Sequence, residues 1–297
     1  FTQVRTGLNK HVVQQVATLD MARLEQGYAL LEQLCKQYVQ DCLLTLDAGS
    51  SVPVWHHKLL YLWCAKQSAK SADMPYIQAS DVRAMHADLW AEVQLAERCG
   101  PLLGEALSSR MPYQELLFPG GSLEAVLPVY ESAVAATFYN SCVVAALRVS
   151  LSLLTSDRPL VALEVGAGTG GTASSVLPHL ESSCKEYCFT DVSEVFLRTA
   201  RTRFAAYSFI RFSLLNIDSD PRRQGFASGS CDFIIATNVL HATPFMRNTL
   251  RHCLQLLRPS GLLVVNELLR TYSFAQITSG LTDGWWLFSE VGDPERI

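Results

Sequence analysis

The stretch Leu163-Glu-Val-Gly-Ala-Gly-Thr-Gly-Gly-Thr172 decides the fold. A short apolar run, Leu160 to Val165, feeds into it, and a helical pattern over 172–181 leaves it. A strand that ends in glycines and reopens as a helix is the start of a parallel α/β unit. Gly166, Gly168 and Gly170 let the chain turn sharply, and without a Cβ they let a ligand approach the backbone. Gly166, Gly168 and Gly171 also satisfy G-x-G-x-x-G literally, so a dinucleotide enzyme has to be considered.

Downstream the pattern alternates. Strand Tyr187 to Thr190 ends at Asp191, followed by a helix over 193–205 and strand Phe209 to Leu214. Strand Cys231 to Thr237, a helix over 244–257 and strand Gly261 to Glu267 complete the run. Five strands with crossover helices predict a mostly parallel sheet covered on both faces. Helical signals also occupy 130–154.

Upstream the chain reads as helices. From Asp20, a predicted N-cap, the series Met21, Leu24, Tyr28, Leu31, Cys35, Tyr38 and Cys42 steps by three and four. A second helix follows Pro53, through Trp55, Leu59, Leu62 and Trp63. A third runs from near Ser80 to Ala96, ended by Gly100-Pro101. The turn Phe118-Pro-Gly-Gly-Ser122 is expected to hinge the halves. The expected division is a helical subdomain over 1–125 and a cofactor-binding core over 126–297.

Composition bounds the function. The 297 residues are 49% apolar and 18% charged, which excludes a disordered or low-complexity chain. Lys plus Arg number 24 against 28 Asp plus Glu, a net charge of −4, so nucleic acid is not an expected partner. The longest apolar stretch, Ser141 to Leu154, is cut by Arg148 and too short to span a bilayer, so no membrane role is expected. Phe1 carries neither an initiator Met nor a signal-peptide pattern and reads as the start of an excised domain. Nine cysteines without a paired C-x-x-C predict free thiols in a reducing, cytoplasmic compartment.

Two acids, Glu164 and Asp218, separate the cofactor classes, while Asp191, twenty residues after Gly171, suits a ribose in either. Glu164, two residues before the first glycine, can help hold S-adenosylmethionine through ordered polar contacts, whereas a diphosphate would be repelled by it. Asp191 is placed for ribose hydroxyls. Asp218, in Leu215-Asn-Ile-Asp218 after the third strand, suits the adenine amino group.

With these residues in place, the chain resembles the C-methyltransferase domain of polyketide synthases. The resemblance is carried by the Glu164–Thr172 loop, Thr190-Asp-Val-Ser193, Asn238-Val-Leu-His-Ala-Thr243 and Asn266-Glu267. Leu117-Phe-Pro-Gly-Gly-Ser122, Tyr130, Phe138-Tyr-Asn140 and Gly284-Trp-Trp-Leu-Phe288 add to it. It covers residue 115 onward closely and the helical half more loosely, as that family's lid. The resemblance implies a class I Rossmann-like α/β core, S-adenosylmethionine as cofactor, and a phosphopantetheine-linked β-ketoacyl chain on an acyl carrier protein as substrate. It also implies neighbouring synthase domains as partners. The family's core has seven strands, and this sequence is expected to stop after the fifth.

In the class I order the fourth and fifth strands are neighbours, about 4.8 Å apart, with their carboxyl ends at the cofactor crevice. His241 follows strand four and Glu267 ends strand five, so a hydrogen bond between them is expected, and the family's catalytic dyad falls on this pair. An imidazole titrating near pH ~6.5 can take the proton from a carbon flanked by a ketone and a thioester. Asn238 is expected to contact the cofactor. Tyr130 and Tyr139 are candidates for closing the site or holding the enolate oxygen, and Trp285 and Trp286 for lining the acyl channel. The rival readings are a non-catalytic pseudo-methyltransferase domain, an O- or N-methyltransferase of free small molecules, and the dinucleotide oxidoreductase.

Overall fold

The computed structural model describes residues 2–46, 51–68, 75–153 and 158–290. By its internal contacts the chain divides into two units, each built from two separate segments. One is Phe1–Thr18 with Ala135–Leu268, and the other is Leu19–Val134 with Leu269–Ile297. A single cut after residue 125 does not describe this division, because helix Thr2–Val16 joins the sheet unit and the segment after Leu268 joins the helical one. Two polar contacts show why. His11 Nε2 lies 3.0 Å from Ser141 Oγ, and Glu32 accepts hydrogen bonds from Ser273 N at 2.8 Å and from Ser273 Oγ at 2.7 Å.

The sheet unit holds five strands: β1 (Leu160–Val165), β2 (Cys184–Asp191), β3 (Ile210–Leu214), β4 (Cys231–Thr237) and β5 (Leu257–Asn266). All pair in parallel, in the order β3-β2-β1-β4-β5. Helices Gly171–Leu180, Glu194–Arg203 and Met246–Leu256 connect β1 to β2, β2 to β3 and β4 to β5, while the link from β3 to β4 carries only the 3-10 turn Pro221–Gln224. Strands β1, β2 and β4 are buried on both faces, which is why they read as unbroken apolar runs. Phe189, Phe233 and Ile235 pack one face with Val143 and Leu147 of helix Val134–Leu153. Leu163, Ile234 and Ala236 pack the other with Cys253 and Leu256. Each such side chain contributes about 1.5–3 kcal/mol of burial.

Helix Val134–Leu153 is long and apolar enough to cross a membrane by length and composition alone. Six of its residues are buried, among them Val143 and Leu147 against the sheet. The expected end of this helix, Leu154, lies outside the described residues. β5 starts four residues before the expected Gly261, because Cys231 pairs with Leu257 and Phe233 with Leu262, which loops out the intervening Arg258–Gly261. At this far end of the sheet Asp232 accepts from Val161 N at 2.9 Å and pairs with Arg158 and Arg258. Burial pushes its carboxyl up, but these donors together hold it below its usual range.

In the helical unit Asp20 caps helix Met21–Thr45, accepting from Arg23 N at 3.0 Å, as expected. The stretch expected as one helix from Ser80 is two, Ala79–Met85 and Trp90–Cys99, joined by a 3-10 turn at Ala87–Leu89. The break falls at His86 (φ −135°, ψ 71°), which packs against Gly27, where a Cβ would sit 2.9 Å from His86 Nδ1. Gly120 and Gly121 take positive φ in the expected hinge turn, which lies inside this unit. The nine cysteines are free thiols, and eight of them are buried.

Candidate active site

The strand order reverses between β1 and β4, and the carboxyl ends of a parallel sheet open a crevice at that switch point. Both diagnostic loops of the sequence leave the sheet there. Gly166, Gly168 and Gly170 all adopt positive φ, at 57°, 53° and 78°. Two of them are also confined by neighbours. A Cβ on Gly166 would lie 2.2 Å from Val239 Cγ2, and one on Gly170 would lie 2.7 Å from Phe204 Cε2. Around Gly168 the Cβ direction is open, with nothing nearer than the Gly166 carbonyl at 3.8 Å. Its space is therefore available to a ligand.

Asp191, at the end of β2, braces this loop. One carboxylate oxygen accepts from Gly168 N at 2.9 Å and the other from Ser193 N at 2.8 Å. Burial raises its pKa, and the backbone donors oppose that rise without cancelling it. Each oxygen keeps a lone pair for a further donor such as a ribose hydroxyl. Glu164 lies behind the loop and is only 1% exposed. Tyr187 donates its hydroxyl to Glu164 Oε2 at 2.7 Å, and Thr190 Oγ1 donates to the Glu164 carbonyl at 2.6 Å. Burial, with the nearby Asp191 charge adding to it, pushes the Glu164 carboxyl up to about 8 against the opposing bond from Tyr187.

Asp218 is held in its turn by a bond from its own N–H to Asn216 Oδ1 at 3.0 Å. Its Oδ1 is buried with no hydrogen-bond donor among the described residues. A buried acceptor without a donor is costly unless a ligand supplies one, and an adenine amino group would. On this observation the residues present fit a nucleoside cofactor.

The second loop begins at Asn238, whose φ of 49° turns the chain back over β5. Asn238 N donates to the Asn266 carbonyl at 2.8 Å, and its side-chain oxygen accepts from Leu268 N at 3.2 Å. Through these bonds Asn238 joins the ends of β4 and β5. Glu267 then reaches under the turn. Its Oε1 accepts from Val239 N at 2.8 Å and Leu240 N at 2.6 Å, and its Oε2 lies 2.7 Å from His241 Nδ1. The expected contact between His241 and Glu267 is formed.

Glu164, the three glycines, Asp191, Asp218, Asn238, His241 and Glu267 thus all lie at the carboxyl end of one sheet. Tyr139 is in the same unit, 52% exposed, with its ring edge-on to Phe138. Tyr130 lies in the helical unit, its hydroxyl 3.3 Å from Ser279 Oγ. Trp285 and Trp286 lie there too, donating to Gln276 Oε1 and the Gly280 carbonyl.

Two site features escaped the sequence. In the sequence Tyr187 marks only a strand, although a tyrosine on a fully buried face needs a partner for its hydroxyl. Thr172, opening the helix after the loop, donates to the buried Asn140 Oδ1 at 3.0 Å and ties helix Val134–Leu153 to the loop. Nothing in the local pattern signals that link.

The chain is similar to known methyltransferases. The family described as "Methyltransferase domain" matches residues 163–263. Polyketide synthase PksM of Bacillus subtilis is 31% identical over 269 residues, which cover 88% of this chain and 6% of that protein. The chain thus spans a small fraction of that relative's length. The crystal structure of the CurJ carbon methyltransferase superposes with a TM-score of 0.88 at 30% identity, covering 96% of this chain and 84% of that one. The trans-methyltransferase CalH, solved in complex with SAH, gives 0.71 at 27% identity, covering 93% and 80%.

Proposed function

The chain belongs to the carbon-methyltransferase domains of polyketide synthases, and we propose that it methylates the α-carbon of a β-ketoacyl chain carried on an acyl carrier protein. The observation that carries this reading is the threefold engagement of Glu267. With two backbone N–H bonds on one oxygen the carboxylate is fixed, and its second oxygen accepts a hydrogen bond from His241 Nδ1. The imidazole lone pair is thereby placed on Nε2.

A carbon between a ketone and a thioester is acidic for a C–H bond, yet not ionised in neutral water. His241 Nε2 removes its proton as general base, and Glu267 stabilises the imidazolium that forms. Tyr139 is a candidate donor to the resulting enolate oxygen. Asp191 would hold the ribose and Asp218 the adenine of the methyl donor, with Gly168 letting it approach the backbone. When bound, S-adenosylmethionine supplies the electrophilic sulfonium methyl. Fixing that group and the substrate carbon in one crevice removes much of the entropic barrier.

The CurJ neighbour, named a carbon methyltransferase, supports the carbon acceptor, and the SAH complex of CalH supports the donor. Neighbouring synthase domains follow as partners from the length of the PksM relative, and the cytoplasm as compartment from nine free thiols. The test is intact-mass analysis of a β-ketoacyl carrier protein incubated with the chain and S-adenosylmethionine. One added methyl is expected, and it is lost in His241→Ala while cofactor affinity stays near wild type. Wild-type turnover in that variant would remove His241 as the base.

A further inference from the structure

The segment from Phe233 to Asn266 contains no Asp or Glu in a chain whose net charge is −4. It carries Arg247, Arg251 and Arg258, and among the described residues only Arg258 is paired with a carboxylate, that of Asp232. Helix Met246–Leu256 turns Thr249, Cys253 and Leu256 inward. Arg247, Arg251 and Leu254, at i, i+4 and i+7, form one outward stripe. Arg251 Nη1 bonds only to Asn248 Oδ1 of the same helix, at 3.1 Å, and among the described residues neither arginine forms an ion pair. Leu254 is 63% exposed, and Phe245, just before the helix, 49%. Isolated exposed apolar residues are ordinary, but two flanking an uncompensated cationic stripe make a mixed apolar and basic surface.

This surface is coupled to the site described above. Thr249 Oγ1 donates to Thr243 Oγ1 at 2.9 Å, and Thr243 Oγ1 donates to the Leu240 carbonyl at 2.8 Å, so the first turns of the helix are bonded to the His241 turn. Arg247 follows His241 by six residues, so their Cα atoms are at most about 22 Å apart. The inner side of the helix is anchored as well, with His252 Nδ1 2.7 Å from the Ile217 carbonyl.

We propose that the Arg247–Arg251–Leu254 stripe, with Phe245 at its site-facing end, docks the carrier domain through that domain's acidic surface and the phosphodiester of its prosthetic arm. The inference rests on the carrier-bound substrate proposed above. Positive charge beside the site attracts an acidic partner and orients the arm, while the apolar residues are covered on contact. Rim charges of this kind act mainly on association, so the effect belongs in KM and in salt dependence.

The test compares the full wild-type chain with the double variant Arg247→Glu/Arg251→Glu on two substrates bearing the same β-ketoacyl group, one on its carrier and one on free pantetheine. We expect KM for the carrier substrate to rise at least tenfold and to lose its salt dependence, with free-thioester turnover and cofactor affinity within twofold of wild type. Titration with phosphopantetheinylated carrier lacking an acyl group should show the same weakening, independently of the acyl chain chosen. Unchanged carrier binding and KM would overturn the inference, as would equal losses on both substrates, which would place the arginines in the fold or the site. A double variant that alters self-association but not carrier binding would assign the stripe to a second copy of the chain and overturn it too. A wild-type chain that binds carrier yet methylates neither substrate would refute the chemical reading and leave docking supported by the titration.

Discussion

Replacing Glu267 by Gln separates the two jobs that its carboxylate performs. Oε1 accepts from Val239 N and Leu240 N, while Oε2 faces His241 Nδ1. The glutamine carbonyl can keep both backbone bonds, so its NH2 must face the imidazole. An NH2 can only donate, and it therefore demands the lone pair on Nδ1 and sends the proton to Nε2. The base then points a proton at the substrate. Loss of the right tautomer and of imidazolium stabilisation should slow methylation by about a thousand- to ten-thousand-fold. The fold should lose only about 1–2 kcal/mol, because two charge-assisted bonds become neutral ones of the same geometry. The assay is single-turnover intact-mass analysis on the β-ketoacyl carrier, with a thermal melt and a cofactor titration on the same protein. A variant that keeps its rate within tenfold of wild type, with the melt unchanged, would refute the tautomer argument. A collapsed melt would mean that Glu267 chiefly holds the turn.

Two further outcomes follow from the glycine loop. Gly166→Ala meets both a left-handed φ and a Cβ contact at 2.2 Å, whereas Gly168→Ala meets only the φ. Chemical denaturation should show Gly168→Ala costing about 1–2 kcal/mol and Gly166→Ala clearly more, with cofactor affinity falling in Gly168→Ala; equal costs would count against the Val239 contact. Glu164 titrates at about 8 in the fold against 4.5 as its ordinary value, so the folded state holds the extra proton between those values. Its contribution is present below pH 4.5 and is lost as pH rises towards 8, by up to roughly 4–5 kcal/mol. Glu164→Gln should flatten the fall in unfolding free energy between pH 5 and 8, and an unaltered slope would assign that fall to other groups.

The sheet was legible because its strands are buried on both faces and its turns need glycine. Three of the five expected strands lie inside the observed ones, the other two overrun by one residue each (Phe209 before β3, Glu267 after β5), and Asp191 ends β2 as expected. The pairing of His241 with Glu267 was legible once parallel order placed β4 beside β5. What the sequence hides is set by contacts distant along the chain. The break at His86 answers to Gly27 on another helix, which propensity over 80–96 does not register. Tyr187 and Glu164 are 23 residues apart, and only the sheet register makes them a pair. Helix Thr2–Val16 has no buried residue of its own to mark its place, and its contact to Ser141 spans 130 residues.

The two-segment build of each unit has a consequence for synthesis on the ribosome. Helix Thr2–Val16 emerges first, but the segment that it joins begins only at Ala135. At about 5–20 residues per second it waits several seconds or more for its partner. The helical unit has the opposite difficulty. Most of it is made early, yet Glu32 receives its hydrogen bonds from Ser273 only after the whole sheet has been translated. Neither unit can therefore close from its first segment alone, and sites that slow translation after Leu268 would prolong the interval in which the helical unit stands open.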